Sequence, residues 1–250
     1  MAPLQSLLLR DVPHGFTTRA GGVSVAPFDA LNLGDQVGDD PAAVAENWRR
    51  LEAATGLGFS RVRQVHGARV VTAAGPCAPG LEADAVVSAR PGVAACVAVA
   101  DCVPVLLAAP EGRAVAAVHA GWRGTLALAA AEGARALATA AGAPVGRLRA
   151  VIGPSIGPCC YQVSADLAAR FAAVFGPEVV RRVDGGARLD LWAANVAALR
   201  QAGVLEVEVL GRCTACEPEA FFSHRRDGGR TGRMVAFAAP APISGRGVVP

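Results

Sequence analysis

The chain contains no lysine: all 24 of its basic residues are arginine. That absence excludes Schiff-base catalysis and any phosphate loop built around a lysine ammonium. An anion must be held by arginine, backbone amides or a metal ion. Aromatics make up 5% of the residues, with a single Tyr, too few for a platform that stacks the bases of a single strand. The net charge of +3 is mild, so neither nucleic acid nor a membrane surface is expected as a partner. The longest apolar run, 92–110, is interrupted by Asp101 and Pro104 and does not read as a membrane span. The short Leu7–Leu9 run precedes Arg10 instead of following a basic stretch, unlike a secretory leader, so the cytoplasm is the expected compartment. The seven cysteines are odd in number, and in a reducing compartment they do not imply a disulfide framework. Cys213-Thr-Ala-Cys216 is one CxxC pair without a second, which reads as structural.

At 250 residues and 52% hydrophobic, the chain is long enough to bury a sizeable core, and one domain over 1–250 is expected, with a loose tail from about 241. Asp39-Asp40-Pro41 predicts a capped helix that ends before Gly56. Strands are expected over 61–72 (with His66-Gly67 in it or at a bend), 83–89, 114–118, 148–152, 206–210 and 234–238, and 93–109 reads as a strand pair or one interrupted strand. An Ala-rich helix is expected over 125–141, and Ser164 and Asp190 cap helices to Phe175 and Ala202. Strands and helices mix throughout, so the fold class is α/β (α+β), with mixed sheets and flanking helices. No repeat or low-complexity linker is evident.

Two of the four histidines sit in short apolar stretches that end at glycines: Gln64-Val-His66-Gly67 and Val118-His119-Ala-Gly121-Trp-Arg123-Gly124. Cys102 follows Asp101 in another apolar run. Two imidazoles and a thiolate form the ligand set of a catalytic zinc with an open fourth position. They are equally the parts of a Cys–His nucleophile. His66 favours the metal, because a thiol needs only one base and one orienting group. A fourth protein ligand, from Cys159 or Cys160, would instead mark a closed structural zinc. Asp101 is costly in an apolar strand unless paired, and is expected to orient a histidine or to meet an arginine. Arg19 and Arg123 lie beside glycines, where a guanidinium could hold an anion. Gln64 shares a strand face with His66, so its amide could hydrogen-bond a substrate beside the metal. Loop segments at 153–158, 221–226 and 231–233 carry further hydroxyl and Arg groups beside Gly or Pro. A multicopper oxidase needs a type-1 site and a histidine-rich cluster, which four histidines cannot supply, so copper is less expected than zinc.

The segments FTTRAGGVS, NLG, QVHG, ADCVPVLL, HAGWRG, IGPSIGPCCYQV and FFSHRR with TGR run in order from Phe16 to Arg233. Together they resemble the YfiH family, also called the laccase-domain or polyphenol-oxidase family. The resemblance implies an intracellular protein with a mixed fold related to cysteine hydrolases. It also implies zinc held by His66, Cys102 and His119. The family was first described as a copper polyphenol oxidase. Its members are now associated with phosphorolysis of adenosine, inosine, guanosine and methylthioadenosine, with adenosine deamination, and in some bacteria with editing of peptidoglycan precursors. The implied partners are a purine nucleoside and phosphate, with Arg19 and Arg123 the candidates for holding the phosphate and Gln64 and Asn32 the candidates for reading the ribose or base; the implied assembly is a monomer or weak homodimer.

Overall fold

The computed structural model describes residues 2–242. Its strands are β1 (His14–Phe16), β2 (Gly58–Ser60), β3 (Val70–Thr72), β4 (Ala85–Ser88), β5 (Val93–Val99), β6 (Val103–Ala108), β7 (Val115–Ala120), β8 (Arg149–Ile152), β9 (Gln162–Val163), β10 (Val180–Val183), β11 (Gly186–Leu189), β12 (Glu206–Val209) and β13 (Met234–Ala238). The helices are α1 (Pro41–Thr55), α2 (Trp122–Leu126), α3 (Ala129–Ala141), α4 (Ala165–Phe175) and α5 (Leu191–Gln201). They build a four-stranded sheet β1-β13-β5-β2, a six-stranded sheet β12-β8-β6-β7-β4-β3, and a small sheet β10-β11-β9. The pairs β2–β5, β3–β4 and β8–β12 are parallel and the remaining pairs antiparallel, so the sheets are mixed as expected.

The layers follow from strict alternation along apolar strands. Val86, Leu106, Ala117 and Val151 face the smaller main sheet, where they meet Ala95, Val97 and Ala236. Their neighbours Val87, Val105, Leu107, Val118 and Ile152 face the other way, onto Ala130, Ala134 and Leu137 of α3 and Leu199 of α5. Val44, Trp48 and Leu51 of α1 cover the outer face of the four-stranded sheet, against Phe59, Val235 and Phe237. The order is helix, sheet, sheet, helix, with both sheets buried on both faces.

The predicted caps are in place. Asp40 accepts the N–H of Ala42 ahead of Pro41, Ser164 accepts that of Leu167, and Asp190 that of Ala193. Two expectations are corrected, and of the two alternatives for 93–109 the strand pair is the one realised. The strand predicted over 61–72 is confined to Val70–Thr72, because residues 65–67 turn their amides onto a buried carboxylate. The run 93–109 is two strands of different sheets, joined by a turn in which Asp101 has φ 83°. The helix predicted over 125–141 begins at Trp122 and breaks at Leu128, whose φ is 59°. The tail from 241 lies mostly outside the described residues, but Ala241 is held by its N–H to the Gly112 carbonyl. Among the described residues, no helix is long and apolar enough to cross a membrane.

Candidate functional site

Strand register brings the chemistry together. Val103 of β6 pairs with Ala120 of β7, so Cys102, one residue earlier, falls opposite Gly121. Ala85 of β4 pairs with Val118 on the other side of β7, which sets Asp84 beside His119. The His119 backbone N–H donates to the Asp84 carbonyl at 2.7 Å. His66 arrives from the loop between β2 and β3. The ligand atoms of His66, Cys102 and His119 all lie within 4.8 Å of one another. The two imidazole centroids are 4.9 Å apart at 76°. Among the described residues no fourth ligand joins them, and Cys159 and Cys160 belong to a separate group.

Asp84 organises the cluster. It is fully buried, and its carboxylate accepts backbone N–H groups from Val65, His66 and Gly67 at 3.3, 2.9 and 2.6 Å. Oδ1 also meets Nδ1 of His119 at 2.8 Å, which leaves Nε2 of His119 to face the cluster. One carboxylate thus orients both histidines. It also offsets the backbone strain at His66, whose φ of 61° costs a non-glycine residue about 1–2 kcal/mol. Burial pushes the Asp84 pKa up, but its bonds to His119 and Gly67 outweigh that and hold it below the usual carboxylate range. Burial also pushes the Cys102 thiol up, yet the charge and hydrogen bonds of His119, joined by His66, bring it below the ordinary thiol value. Burial works to lower His119, while Cys102 and Asp84 raise it above the ordinary imidazole value. By themselves these side chains form a thiolate–imidazolium pair backed by a carboxylate.

Gly121 is obligatory here. A Cβ at that position would lie 2.8 Å from the Cys102 sulfur and 3.1 Å from Cδ2 of His66. A Cβ on Gly124 would meet the Gly67 carbonyl at 3.0 Å, so the HAGWRG and QVHG loops touch backbone to backbone.

The cluster opens into a cavity of about 570 Å³, the size of a small-ligand pocket. Trp122 and Tyr161 supply aromatic wall, and Arg123, Arg225 and Arg233 supply positive charge. None of these three arginines pairs with a carboxylate among the described residues, whereas Arg61 and Arg63 on the same wall are paired with Asp35 and Glu82. Arg233 is half-buried and bonds only the carbonyls of Thr231 and Gly232, and burial depresses its pKa. Arg123 is exposed and stacks 4.2 Å from the Trp122 ring.

Of the four substrate-binding candidates from sequence, Gln64 and Arg123 line this cavity and Arg19 and Asn32 do not. Arg19 is a loop staple. Its Nε donates to the Asp29 carbonyl, one terminal nitrogen to the Pro218 carbonyl, and the other pairs with the Asp29 carboxylate at 3.1 Å. With each nitrogen holding a partner, its charge paired with Asp29 and its side chain outside the cavity lining, it serves the loops and not a ligand in the cavity. Asn32 is fully buried, accepting the N–H groups of Gly34 and Arg233 and donating to Asp39. It positions Arg233 instead of reading a ligand. Gln64 does not sit in a strand beside His66. Its amide pairs with the backbone of Ala98 in both directions, at 2.8 and 2.7 Å, and so pins the His66 loop to β5. Asp101 orients no histidine and pairs with no Arg side chain; it accepts Thr214 Oγ1 and the Arg225 backbone N–H, both at 2.6 Å.

Sequence reasoning missed Asp84. The signal was present, since Asp84 is a carboxylate within an apolar Ala-Asp-Ala-Val-Val stretch, the same argument that singled out Asp101. Arg233 lay in a noted loop, but no feature of the sequence distinguishes it from the chain's other arginines.

Residues 13–240 match the family model described as "Multi-copper polyphenol oxidoreductase laccase". A Deinococcus radiodurans protein named purine nucleoside phosphorylase is 47% identical over 90% of this chain and 88% of its own. A Mycobacterium tuberculosis protein named purine nucleoside phosphorylase is 42% identical over 88% of this chain and 89% of its own. The crystal structure of YlmD from Geobacillus stearothermophilus superposes with a TM-score of 0.87 at 36% identity, covering 95% of this chain and 94% of that one. The crystal structure of the Bacillus licheniformis hypothetical protein YfiH gives the same TM-score of 0.87 at 34% identity. The chain belongs to the YfiH, or laccase-domain, family.

Proposed function

We propose that this protein is a zinc-dependent purine nucleoside phosphorylase with adenosine deaminase as a side activity. The observation that carries the reading is the convergence of His66, Cys102 and His119 on one point of an open cavity, with Asp84 behind both histidines. The names of the relatives point to the same reaction. The donor set fits zinc: two imidazoles and a thiolate, three ligands without a fourth, and a carboxylate fixing one imidazole through its far nitrogen. Bound there, zinc would supply Lewis acidity at a position open to the cavity. A multicopper centre does not fit, because the two remaining histidines stand apart from the cluster. His14 is buried against Ser6 and Val12, and His224 lies on the cavity wall.

The chain's own residues divide the remaining work. Arg123 and Arg233 offer phosphate two guanidinium groups without carboxylate partners. Trp122 and Tyr161 offer apolar surface to a purine. In phosphorolysis a phosphate oxygen bonds to the anomeric carbon while the bond to the base breaks and its electron pair leaves with the purine. In deamination, water adds to the ring carbon and ammonia leaves. The two reactions share the pocket and differ in the need for phosphate. Adenosine supplied with and without phosphate separates them: adenine marks phosphorolysis and inosine marks deamination. Absence of both products, with purified metal-loaded protein and with other purine nucleosides in place of adenosine, rejects the proposal.

A second reading rests on the Asp84–His119–Cys102 line, which has the order of an orienter, base and thiol nucleophile. It predicts an amidase that stays active after metal is stripped and loses activity on thiol alkylation.

A further inference from the structure

Four of the five cysteines outside the cavity meet at a second point. Cys159 and Cys160 lie in the loop between β8 and β9, and Cys213 and Cys216 in the turn that follows β12. The two segments are brought together by backbone pairing. Strand β12 runs parallel to β8, a bridge joins Ser155 to Cys213, Ser155 N–H donates to the Arg212 carbonyl, and Thr214 N–H donates to the Ser155 carbonyl. All four sulfurs lie within 4.8 Å of one another. Cys216 Sγ is 3.5 Å from Cys159 Sγ and 3.3 Å from Cys160 Sγ. These separations are well beyond a covalent S–S bond of about 2.05 Å. They fall a little short of the roughly 3.8 Å edge of a sulfur tetrahedron drawn at a Zn–S distance of about 2.3 Å. One backbone amide already serves the innermost sulfur: Gly157 N–H donates to Cys213 Sγ at 3.2 Å.

We propose that Cys159, Cys160, Cys213 and Cys216 bind one zinc ion as four thiolates, in a closed structural site separate from the cavity. Binding replaces four S–H bonds by four Zn–S bonds and releases four protons to solvent. With every position filled by sulfur, the ion has no place for water or substrate, so its role is mechanical. It ties together two loops that carry the cavity wall. Ile156 and Tyr161, which line the cavity, flank the Cys159-Cys160 pair, and Thr214, between the other two cysteines, holds Asp101 next to Cys102. The CxxC segment finds its partner in the adjacent Cys-Cys pair instead of a second CxxC.

Zinc per chain, measured by elemental analysis on the full-length protein, tests this. Two equivalents are expected in the wild type, one in Cys102→Ala, one in Cys216→Ser and none in the double variant. A count of one in the wild type that falls to none in Cys216→Ser also supports the quartet, and then counts against metal in the cavity. No zinc in Cys102→Ala overturns the proposal. A second measurement leaves the quartet intact, so misfolding of Cys216→Ser cannot obscure the answer. Cys102→Ala reconstituted with Co²⁺ should show thiolate-to-cobalt charge transfer and the strong visible bands of tetrahedral four-sulfur cobalt. Absence of those bands, or a mass deficit of two hydrogens per disulfide among these four cysteines in the purified chain, overturns it.

Discussion

At the residue scale the site depends on what Gly121 lacks. Gly121→Ala places a methyl group 2.8 Å from the Cys102 sulfur, against a strand end that cannot retreat. Displacing a reacting group by about 1 Å costs on the order of a hundred-fold, so kcat/KM for phosphorolysis should fall by roughly that factor while the chain still folds. Circular dichroism and steady-state kinetics check both halves of the statement. Asp84→Asn keeps the shape and some of the bonds to residues 65–67 but loses the charge that orients His119. The expected outcome is a loss of about 10- to 100-fold in zinc affinity, read by competition with a chelator. Arg123→Ala should raise the KM for phosphate, the loss being roughly thirty-fold, or about 2 kcal/mol, for one guanidinium–phosphate contact. Arg19→Ala should instead lower the thermal midpoint and damage phosphorolysis and deamination equally, because it removes a staple between two loops. The three metal-ligand candidates were legible in the sequence because His66 and His119 stand in short apolar stretches that end at glycines and Cys102 follows a lone carboxylate in another apolar run. The phosphate residues were not. With 24 arginines and no lysine, proximity to glycine does not tell a guanidinium closed on its own carbonyls from one left facing a cavity.

At the scale of elements, the signals that hold are local ones. The N-caps at Asp40, Ser164 and Asp190 each close on an amide within the first turn, so their geometry needs no knowledge of the rest of the chain. Asp40→Ala should cost about 1 kcal/mol of global stability, seen as a lower urea midpoint with an unchanged slope. Misread elements are those set by distant partners. Residues 61–67 have an apolar, β-like pattern, yet their backbone bonds go to the Asp84 side chain and to the backbone of Cys77, Leu81 and Ala83. Likewise, 93–109 reads as one apolar run because both strands are buried on both faces. The change of sheet at Asp101 has no hydrophobic signature, and only its positive φ marks the turn that sets Cys102 at the strand end. The strands β1, β2 and β9, of two or three residues, carry too few residues for any periodicity to appear.

At the scale of the molecule, the two buried sheets create an interior that tolerates charge only in satisfied form, and this makes stability depend on pH through His14. That residue is buried on β1; its Nε2 accepts the Ser6 N–H at 2.9 Å and its Nδ1 donates to the Val12 carbonyl at 2.9 Å, so the ring must be neutral. Burial lowers its pKa below the ordinary histidine value of 6.5. A neutral buried group binds fewer protons than the unfolded chain does. Its contribution is therefore complete above the unfolded pKa and is lost as pH falls from that value through the folded one. Urea midpoints should drop between pH 7.5 and pH 5 by more in the wild type than in His14→Gln; equal drops would remove His14 from the account. The same layered body sets the candidate site where the chain crosses from the four-stranded sheet to the six-stranded one, so cavity and core share their strands. The claim on which everything else depends is that this cavity performs phosphorolysis with a metal held by His66, Cys102 and His119. The most direct measurement is adenine release from adenosine and inorganic phosphate, before chelation, after chelation and after zinc is restored. The account predicts release that requires phosphate, disappears on chelation and returns with zinc, with Cys102→Ala inactive throughout. Undiminished release from the stripped protein, or an active Cys102→Ala, would contradict it.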